Sequence, residues 1–342
     1  MIDKIQIVSW ILTRRCNLSC SYCAIVKDYE GKPLEYPNMN TYREMSTFYI
    51  TETLSRIKLH NPNAFHLFYG GEPMLRKDLH HIINFCNEEK INYTIITNNS
   101  DEIQPLIEKL LSNVEYIQGI TSSIDPMILD VNSEKETDRY KKCIAGLERL
   151  KKYTGVIKDI VAEITVDNQS IDYLYDLVKM LTEMGISSDI TTVDIAKNSF
   201  YDFSNVTDES MLVPKSEKVM EIFQRIIDDK LDAHMAETLL PKIWEILPAN
   251  LDCGIEKNLH NMTIDADGSL RLCLRIRGTI TPNLKAHDSI MANGKLHPMY
   301  KSLIWEDKTH YCRGCNWTCM LMSQMISNEE DNVDNLIHND RR

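Results

Sequence analysis

The stretch that decides the fold runs from residue 5 to residue 23 and reads Ile5-Gln-Ile-Val-Ser-Trp-Ile-Leu-Thr-Arg-Arg-Cys16-Asn-Leu-Ser-Cys20-Ser-Tyr-Cys23. Its apolar first part, residues 5–12, predicts a buried strand. Three cysteines with C-x3-C-x2-C spacing follow. Three thiolates this close together can hold three irons of a [4Fe–4S] cluster and leave the fourth iron open to a small chelating ligand.

Two other interpretations of Cys16, Cys20 and Cys23 remain, which are a zinc knuckle and three unlinked thiols. Zinc usually takes four ligands in closed pairs, and no fourth candidate lies nearby in the sequence. The position after a predicted strand also suits a catalytic site at the mouth of a barrel. We therefore favour the cluster.

Composition narrows the class of protein. The 342 residues carry a net charge of −12, which argues against nucleic acid or an anionic membrane as the main partner. No apolar run reaches the roughly 18 residues of a membrane span, and the short apolar N-terminus fits a strand better than a signal peptide. Ten cysteines without an export signal predict a reduced, cytoplasmic location, where metal ligation is favoured over disulfides.

Strands and helices are predicted to alternate through the first two-thirds of the chain. Six strands are predicted at residues 5–12, 64–69, 93–97, 114–123, 157–166 and 189–195. Helices are predicted between them at 41–59, 79–86, 104–111, 140–150 and 174–181. The first has a loose apolar face that includes Phe48, Tyr49, Leu54 and Ile57. This pattern predicts an α/β fold with a parallel sheet, and six units predict an open, partial (βα)6 barrel.

We predict four segments along the chain. Residues 1–213 form the barrel core, and residues 214–250 form linking helices, the first opened by Pro214. Residues 251–327 form a small cysteine-rich domain with a β-hairpin, in which strands 262–264 and 269–274 are joined by the turn Asp265-Ala-Asp-Gly268. Residues 328–342 form an acidic tail.

The C-x3-C-x2-C loop after the first strand resembles the hallmark of the radical S-adenosylmethionine (radical SAM) superfamily. Gly70-Gly71-Glu72-Pro73 follows the second predicted strand and resembles the GGE motif of that family. The resemblance implies that Glu72 holds the methionyl amine of S-adenosylmethionine (SAM), with the glycines allowing close approach of the backbone. Without the resemblance, Gly-Gly is an ordinary turn.

Three further residues match positions that the family uses for SAM. Asn98, after the third strand, resembles a polar turn of the family, and Ser123, at the end of the fourth strand, resembles a serine that binds the ribose. Tyr22 resembles an aromatic residue beside the adenine, although packing over the cluster loop explains it equally well.

The resemblance also implies a mechanism for an oxidoreductase. SAM chelates the open iron, one electron cleaves its sulfonium, and a 5′-deoxyadenosyl radical abstracts hydrogen from a C–H bond of the substrate. The electron implies a reducing partner such as flavodoxin or ferredoxin.

A second cysteine group lies near the C-terminus. Cys253 and Cys273 flank Gly268 in a C-x14-G-x4-C pattern, and Cys312, Cys315 and Cys319 form C-x2-C-x3-C. The pattern resembles the SPASM and twitch extensions of radical SAM enzymes, and five cysteines imply one auxiliary [4Fe–4S] cluster. Which four of the five bind it stays open, and structural zinc is the alternative.

Other residues are assigned more simply. Cys86 and Cys143 are predicted to be buried core thiols, and His80 and His81 to lie on the surface. Glu163 and Asp194 lie near strand ends, where they face either the cavity or solvent. Leu274 stands where anaerobic sulfatase maturases place an acidic base, which argues against that activity.

Two enzymatic functions fit the sequence. We favour modification of a peptide or protein side chain, although only fifteen residues precede Cys16, so we expect no N-terminal leader-recognition domain. The alternative is a radical dehydrogenase or epimerase for a small molecule such as a sugar or aminocyclitol. A third hypothesis, from another class, is a metal-binding module without catalysis.

Overall fold

The computed structural model describes residues 5–18, 20, 23, 44–124, 129–130, 135–136, 138–193, 213, 216–234, 261–271, 290 and 293–295. Eleven strands lie in these residues: β1 (Ile7–Thr13), β2 (Phe65–Gly70), β3 (Tyr93–Thr97), β4 (Ile117–Ile124), β5 (Leu129–Asp130), β6 (Lys135–Glu136), β7 (Asp159–Val166), β8 (Ser187–Thr192), β9 (Ala233–His234), β10 (Asn261–Ile264) and β11 (Leu270–Arg271). Nine of them form one sheet, in the order β11-β10-β1-β2-β3-β4-β7-β8-β9, while β5 and β6 pair separately.

The six strands predicted from the sequence are neighbours in chain order at the centre of this sheet. All of their pairings are parallel, as the βα alternation requires. The sheet also has a short ninth strand, β9, parallel to β8, which the sequence pattern did not indicate. Two residues are too few to give a period.

Six α-helices lie in the described part of the chain: α1 (Thr47–His60), α2 (Leu79–Glu88), α3 (Gln104–Leu111), α4 (Asp138–Leu150), α5 (Leu174–Glu183) and α6 (Glu217–Asp228). Two of them begin at serine caps, because Ser46 Oγ accepts from Tyr49 N and Ser216 Oγ accepts from Val219 N. These bonds satisfy backbone donors that the first turn of a helix leaves open.

The six helices of the described residues all pack on one face of the sheet. An apolar row, Trp10, Phe68, Ile95, Ile120 and Ile160, runs in register across neighbouring strands on that face. Buried residues of the helices join this face in two large apolar clusters. Helices packed on one face of a parallel sheet are consistent with the predicted partial (βα) barrel core.

The C-terminal hairpin belongs to the same sheet. Strand β10 pairs in parallel with β1, so that Ile7 lies opposite Asn261 and Trp10 opposite Ile264. Strand β11 returns antiparallel to β10 through a turn at Gly268, whose φ of +82° is left-handed and favours glycine. The predicted hairpin is confirmed, and its Met262, Ile264 and Leu270 join the core that β1 buries.

Two predictions about helices are wrong. Helix α1 begins at Thr47 rather than residue 41, and its predicted face is wrong at Phe48 and Tyr49, which are 69% and 48% exposed, whereas Leu54 and Ile57 are buried as predicted. The buried face consists of Ile50, Thr53, Leu54 and Ile57, at the i, i+3, i+4, i+7 spacing. The other prediction concerns α6, which is predicted to open at Pro214. The helix instead begins at Glu217 after the cap Ser216, and Pro214 itself lies outside the described residues.

In the described residues, no helix combines the length and hydropathy that crossing a membrane requires. The predicted domain boundaries at 213, 250 and 327 stay predictions. Residues 328–342 lie outside the described part of the chain.

Candidate active site

The cysteine loop is joined to β1 by a connector, Thr13-Arg14-Arg15, which the Gly70-Gly71 turn holds through backbone contacts. Gly71 N donates to Thr13 O at 2.8 Å, and Glu72 N donates to Arg15 O at 2.7 Å. A Cβ atom added at Gly71 would lie 2.1 Å from Arg15 O, and one added at Gly70 would lie 2.3 Å from Thr13 O. The two glycines are therefore needed for the close approach of two backbone segments beside Cys16.

Glu72 is a buried carboxylate that joins the ends of β2 and β3. It accepts hydrogen bonds from Met74 N at 3.1 Å, from Thr97 Oγ1 at 2.9 and 3.0 Å, and from Asn98 N at 2.8 Å. Burial raises the pKa of Glu72 to about 7, although these hydrogen bonds act in the opposite direction. A carboxylate held at this depth gains from a cationic partner, which is consistent with the predicted contact to an ammonium group.

Asn98 connects this turn to the cysteine loop. Its side-chain Nδ2 donates to Asn17 Oδ1 at 2.8 Å and lies 3.8 Å from Cys16 Sγ. Leu18 N donates to the same sulfur at 3.4 Å. Hydrogen bonds to the sulfurs help to set the potential of an iron–sulfur cluster, so both donors contact the atom where such tuning acts.

The three cysteines are half-buried thiols in one loop, where Cys23 N donates to Cys20 O at 3.1 Å. Burial, together with the nearby charges of Glu72, Cys23 and Cys20, raises the pKa of Cys16 to about 11, although the hydrogen bond from Leu18 N acts in the opposite direction. Mutually repelling thiolates are stabilised when they bind cationic iron.

No three His, Cys, Asp or Glu side chains among the described residues converge on a single metal ion. Zinc requires such convergence, whereas each thiolate of a [4Fe–4S] cluster binds a different iron. Cys16, Cys20 and Cys23 offer one thiolate for each of three irons of such a cluster.

Charged side chains fix the connector from its other sides. Arg15 pairs with Glu44 at 3.1 Å, and Thr13 Oγ1 also donates to that carboxylate. Arg14 pairs with Asp265 of the C-terminal hairpin at 2.6 Å. Sequence reasoning missed Glu44 and Asp265, because nothing in local periodicity links residues so far from the loop they hold.

The face of the sheet opposite the described helices carries a polar row. Ser123, Glu163 and Asp189 lie in register on β4, β7 and β8, and all three side chains are half-buried. Burial, helped by the neighbouring charge of Asp189, raises the pKa of Glu163 to about 7. The sequence pointed to Ser123 and Glu163 but missed Asp189, whose signal is a polar residue in phase with the inner face of a strand.

Other predicted residues can be placed briefly. Cys86 and Cys143 are buried, and His80 and His81 are exposed, as predicted. Several predicted site residues lie outside the described part of the chain: Tyr22, Asp194, Cys253, Cys273, Leu274, Cys312, Cys315 and Cys319. Their roles stay predictions.

Comparison with known proteins agrees with this arrangement. The family model described as "Radical SAM superfamily" matches residues 10–215, which is more than half of the chain and includes all three cysteines of the loop. The chain belongs to the radical SAM superfamily. Family membership implies a [4Fe–4S] cluster and SAM as cofactors, and it supports enzymatic activity.

Similar proteins within the superfamily differ in what they do. The chain is 25% identical over 232 residues to the radical SAM cyclopropyl synthase TigE of Paramaledivibacter caminithermalis, covering 60% of this chain but 45% of TigE. It is 24% identical to the GTP 3′,8-cyclase of Nautilia profundicola, covering 79% of this chain and 81% of the cyclase. Streptococcus suis SuiB, solved bound to its precursor peptide SuiA, shares the fold with a TM-score of 0.60 and 16% identity, over 96% of this chain and 74% of SuiB.

Glu72 gives a pH-dependent prediction for stability. Its folded pKa of about 7 lies above the unfolded value of about 4.3, so its contribution is largest below about pH 4.3 and falls as pH rises to about 7. Glu72→Gln cannot titrate, so we expect the stability advantage of the wild type over this variant to shrink by up to about 3 kcal/mol between pH 4.5 and 8. Urea unfolding of both proteins across this range measures the effect. A difference that stays constant with pH would show that the carboxyl group is not perturbed.

Proposed function

We propose that this protein is a radical SAM enzyme that cleaves SAM reductively and abstracts hydrogen from a side chain of a peptide or protein. The observation that carries the proposal is the loop of Cys16, Cys20 and Cys23 after β1, held beside the buried carboxylate of Glu72. In this proposal the cluster supplies one electron to the sulfonium of SAM. The chain itself binds, orients and shields the reactants.

Four of the predicted SAM-binding residues would have specific tasks. Glu72 would accept hydrogen bonds from the methionyl ammonium, in exchange for some of those it receives from Thr97 and Asn98. Ser123, on the inner face of β4, would donate to the ribose. Gly70 and Gly71 keep the connector close to the end of β2, so that the loop and Glu72 bind the same molecule.

The inner face of the sheet provides the chemistry for binding substrate. Glu163 lies next to Ser123 and Asp189 next to Glu163, and the raised pKa of Glu163 allows it to hold a proton near neutral pH. A group of this kind can donate a hydrogen bond to the substrate or take up a proton after hydrogen abstraction.

A peptide substrate is supported by the shared fold with SuiB, which binds a precursor peptide. A small-molecule substrate is the second candidate, because the similarity to a GTP cyclase covers most of both chains. We further propose an auxiliary [4Fe–4S] cluster on four of the five C-terminal cysteines and a flavodoxin- or ferredoxin-like reductant. We also propose a cytoplasmic location.

Anaerobic reconstitution tests both the activity and the cluster count. We expect about eight irons per chain and release of 5′-deoxyadenosine when dithionite and SAM are added. Four irons with cleavage would contradict the auxiliary cluster alone. Zinc without iron, or no cleavage with a competent reductant, would contradict the enzymatic function.

Deuterium transfer distinguishes the two substrate classes. Candidate peptides and candidate sugars or aminocyclitols are offered in deuterated and undeuterated form, and the label in 5′-deoxyadenosine is measured by mass spectrometry. Label from a peptide supports the first proposal. Label from a small molecule alone would overturn it in favour of the second.

A further inference from the structure

The connector between β1 and Cys16 is bound by a residue 251 positions later in the chain. Arg14 Nη2 donates to Asp265 Oδ2 at 2.6 Å, and Arg14 Nε donates to Asp265 Oδ1 at 3.3 Å. This is a bidentate pair, the geometry for which arginine is better suited than lysine. It joins the cysteine loop to the C-terminal hairpin.

The hairpin is built to hold this carboxylate in place. Asp265 is fully buried at the end of β10, and its Oδ1 also accepts from Ala266 N at 2.7 Å. Its backbone N donates to Ser269 O across the turn, and Met45 N donates to Ala266 O at 2.6 Å. Because β10 also pairs with β1, the carboxylate lies at the end of a strand that is hydrogen-bonded into the sheet.

We propose that Asp265 is a positioning residue for the cluster-binding loop, which it holds through Arg14 and whose local charge it balances. The proposal rests on the proposed function, in which Cys16, Cys20 and Cys23 bind the cluster. Arg14 is two residues from Cys16, and an adjacent cation favours the reduced, more negative state of a cluster. Asp265 offsets that cation and at the same time limits where the connector can lie.

The hairpin that carries Asp265 also lies directly before a cysteine of the second group in the sequence. Strand β11 ends at Arg271, two residues before Cys273 in the sequence. The hairpin that positions the first group therefore leads directly into the second. Among the described residues, the Arg14–Asp265 pair and the pairing of β10 with β1 both connect the hairpin to the cysteine loop.

The charge argument gives opposite signs for the two partners. Asp265→Asn removes a negative charge, so the midpoint potential of the SAM-binding cluster should rise. Arg14→Gln removes a positive charge, so that potential should fall, and the double variant should lie near the wild type. A merely structural role would move both single variants in the same direction or in neither.

The measurement is an EPR-monitored redox titration of the reconstituted full chain, on the signal that changes when SAM is added. The rate of iron loss to a chelator is followed in parallel. We expect iron loss to rise about 10-fold in both single variants and in the double variant, since contacts that orient metal ligands typically have effects of this size. Arg14→Lys keeps the positive charge but loses the two-point hydrogen bonding of the guanidinium to Asp265. The midpoint potential of the cluster in this variant should therefore stay near the wild-type value, while its rate of iron loss rises. This variant also separates the role of charge from that of packing.

Asp267→Asn is the matched control. Asp267 lies in the same turn, and its Oδ1 accepts from Ser269 N at 2.8 Å, a bond that asparagine can also make. In Asp267→Asn we expect the midpoint potential of the SAM-binding cluster and the rate of iron loss to equal those of the wild type. If the cluster of the wild type responds to SAM while Asp265→Asn and Arg14→Gln have the wild-type midpoint potential and rate of iron loss, the proposal for Asp265 is overturned and the proposed function stands. If the wild type itself shows no SAM-sensitive cluster, both fall.

Discussion

Replacing Cys16, Cys20 and Cys23 together with alanine is expected to abolish release of 5′-deoxyadenosine and to lower the iron content of the reconstituted protein from about eight to about four. The physical reason is that these thiols are the candidate ligands in the loop after β1, beside Glu72. Without them the iron that SAM would chelate has no attachment. Iron analysis and product release, both by standard anaerobic assays, measure the two effects.

Cys86→Ala and Cys143→Ala provide the control for this experiment. Both thiols are buried in the apolar faces of α2 and α4, away from the cysteine loop in the sequence. Removing a small buried group should cost about 1 kcal/mol of stability and leave iron and cleavage unchanged. Full cleavage by the triple variant would disprove the assignment of the site, whereas loss of cleavage in the controls would indicate general misfolding.

The sheet is the part of the fold that the sequence predicts best. Residues 93–97 and 104–111 form a strand and a helix with the predicted bounds, because each is a short element flanked by polar residues and turns. The error at α1 arose because Phe48 and Tyr49 are apolar but lie out of phase with the buried stripe. Apolar residues define the buried face of a helix only when they follow the helical period of about 3.6 residues, counted from a residue that is known to be buried.

Long-range pairing could not be predicted from local pattern. Strand β10 lies beside β1 although about 250 residues separate them, and the period-2 signal of a strand carries no information about its partner. The same limit applies to Arg14 and Asp265, each of which looks like an ordinary charged residue in the sequence. Cysteine spacing is different, because the ligands of a cluster loop lie close together in the chain and their chemistry is specific.

The Gly-Gly turn was predicted to let the backbone approach a ligand, and that role stays a prediction. The contacts on the described residues are with the protein itself, since the space above each glycine is filled by a carbonyl of the connector. The requirement for glycine can therefore be tested without SAM. The backbone that leads into the cysteine loop is what requires glycine at these two positions.

Gly71→Ala is accordingly expected to have a large effect on both stability and cluster binding. Its Cβ would lie 2.1 Å from Arg15 O and within 3 Å of two further connector atoms, so the backbone before Cys16 must move. We expect a loss of about 1–3 kcal/mol in the free energy of unfolding and a 10- to 100-fold drop, in order of magnitude, in the rate of SAM cleavage. Urea unfolding and 5′-deoxyadenosine release measure the two.

Gly155→Ala is the matched substitution for Gly71→Ala, because a Cβ at Gly155 would meet no atom within 4 Å and its φ is not left-handed. We expect its stability to change by no more than about 0.5 kcal/mol and its cleavage rate to equal that of the wild type. A Gly71→Ala protein that resembled Gly155→Ala in both measurements would mean that the connector can shift without consequence. In that case the position of Cys16 would not depend on the close packing of the turn against the connector.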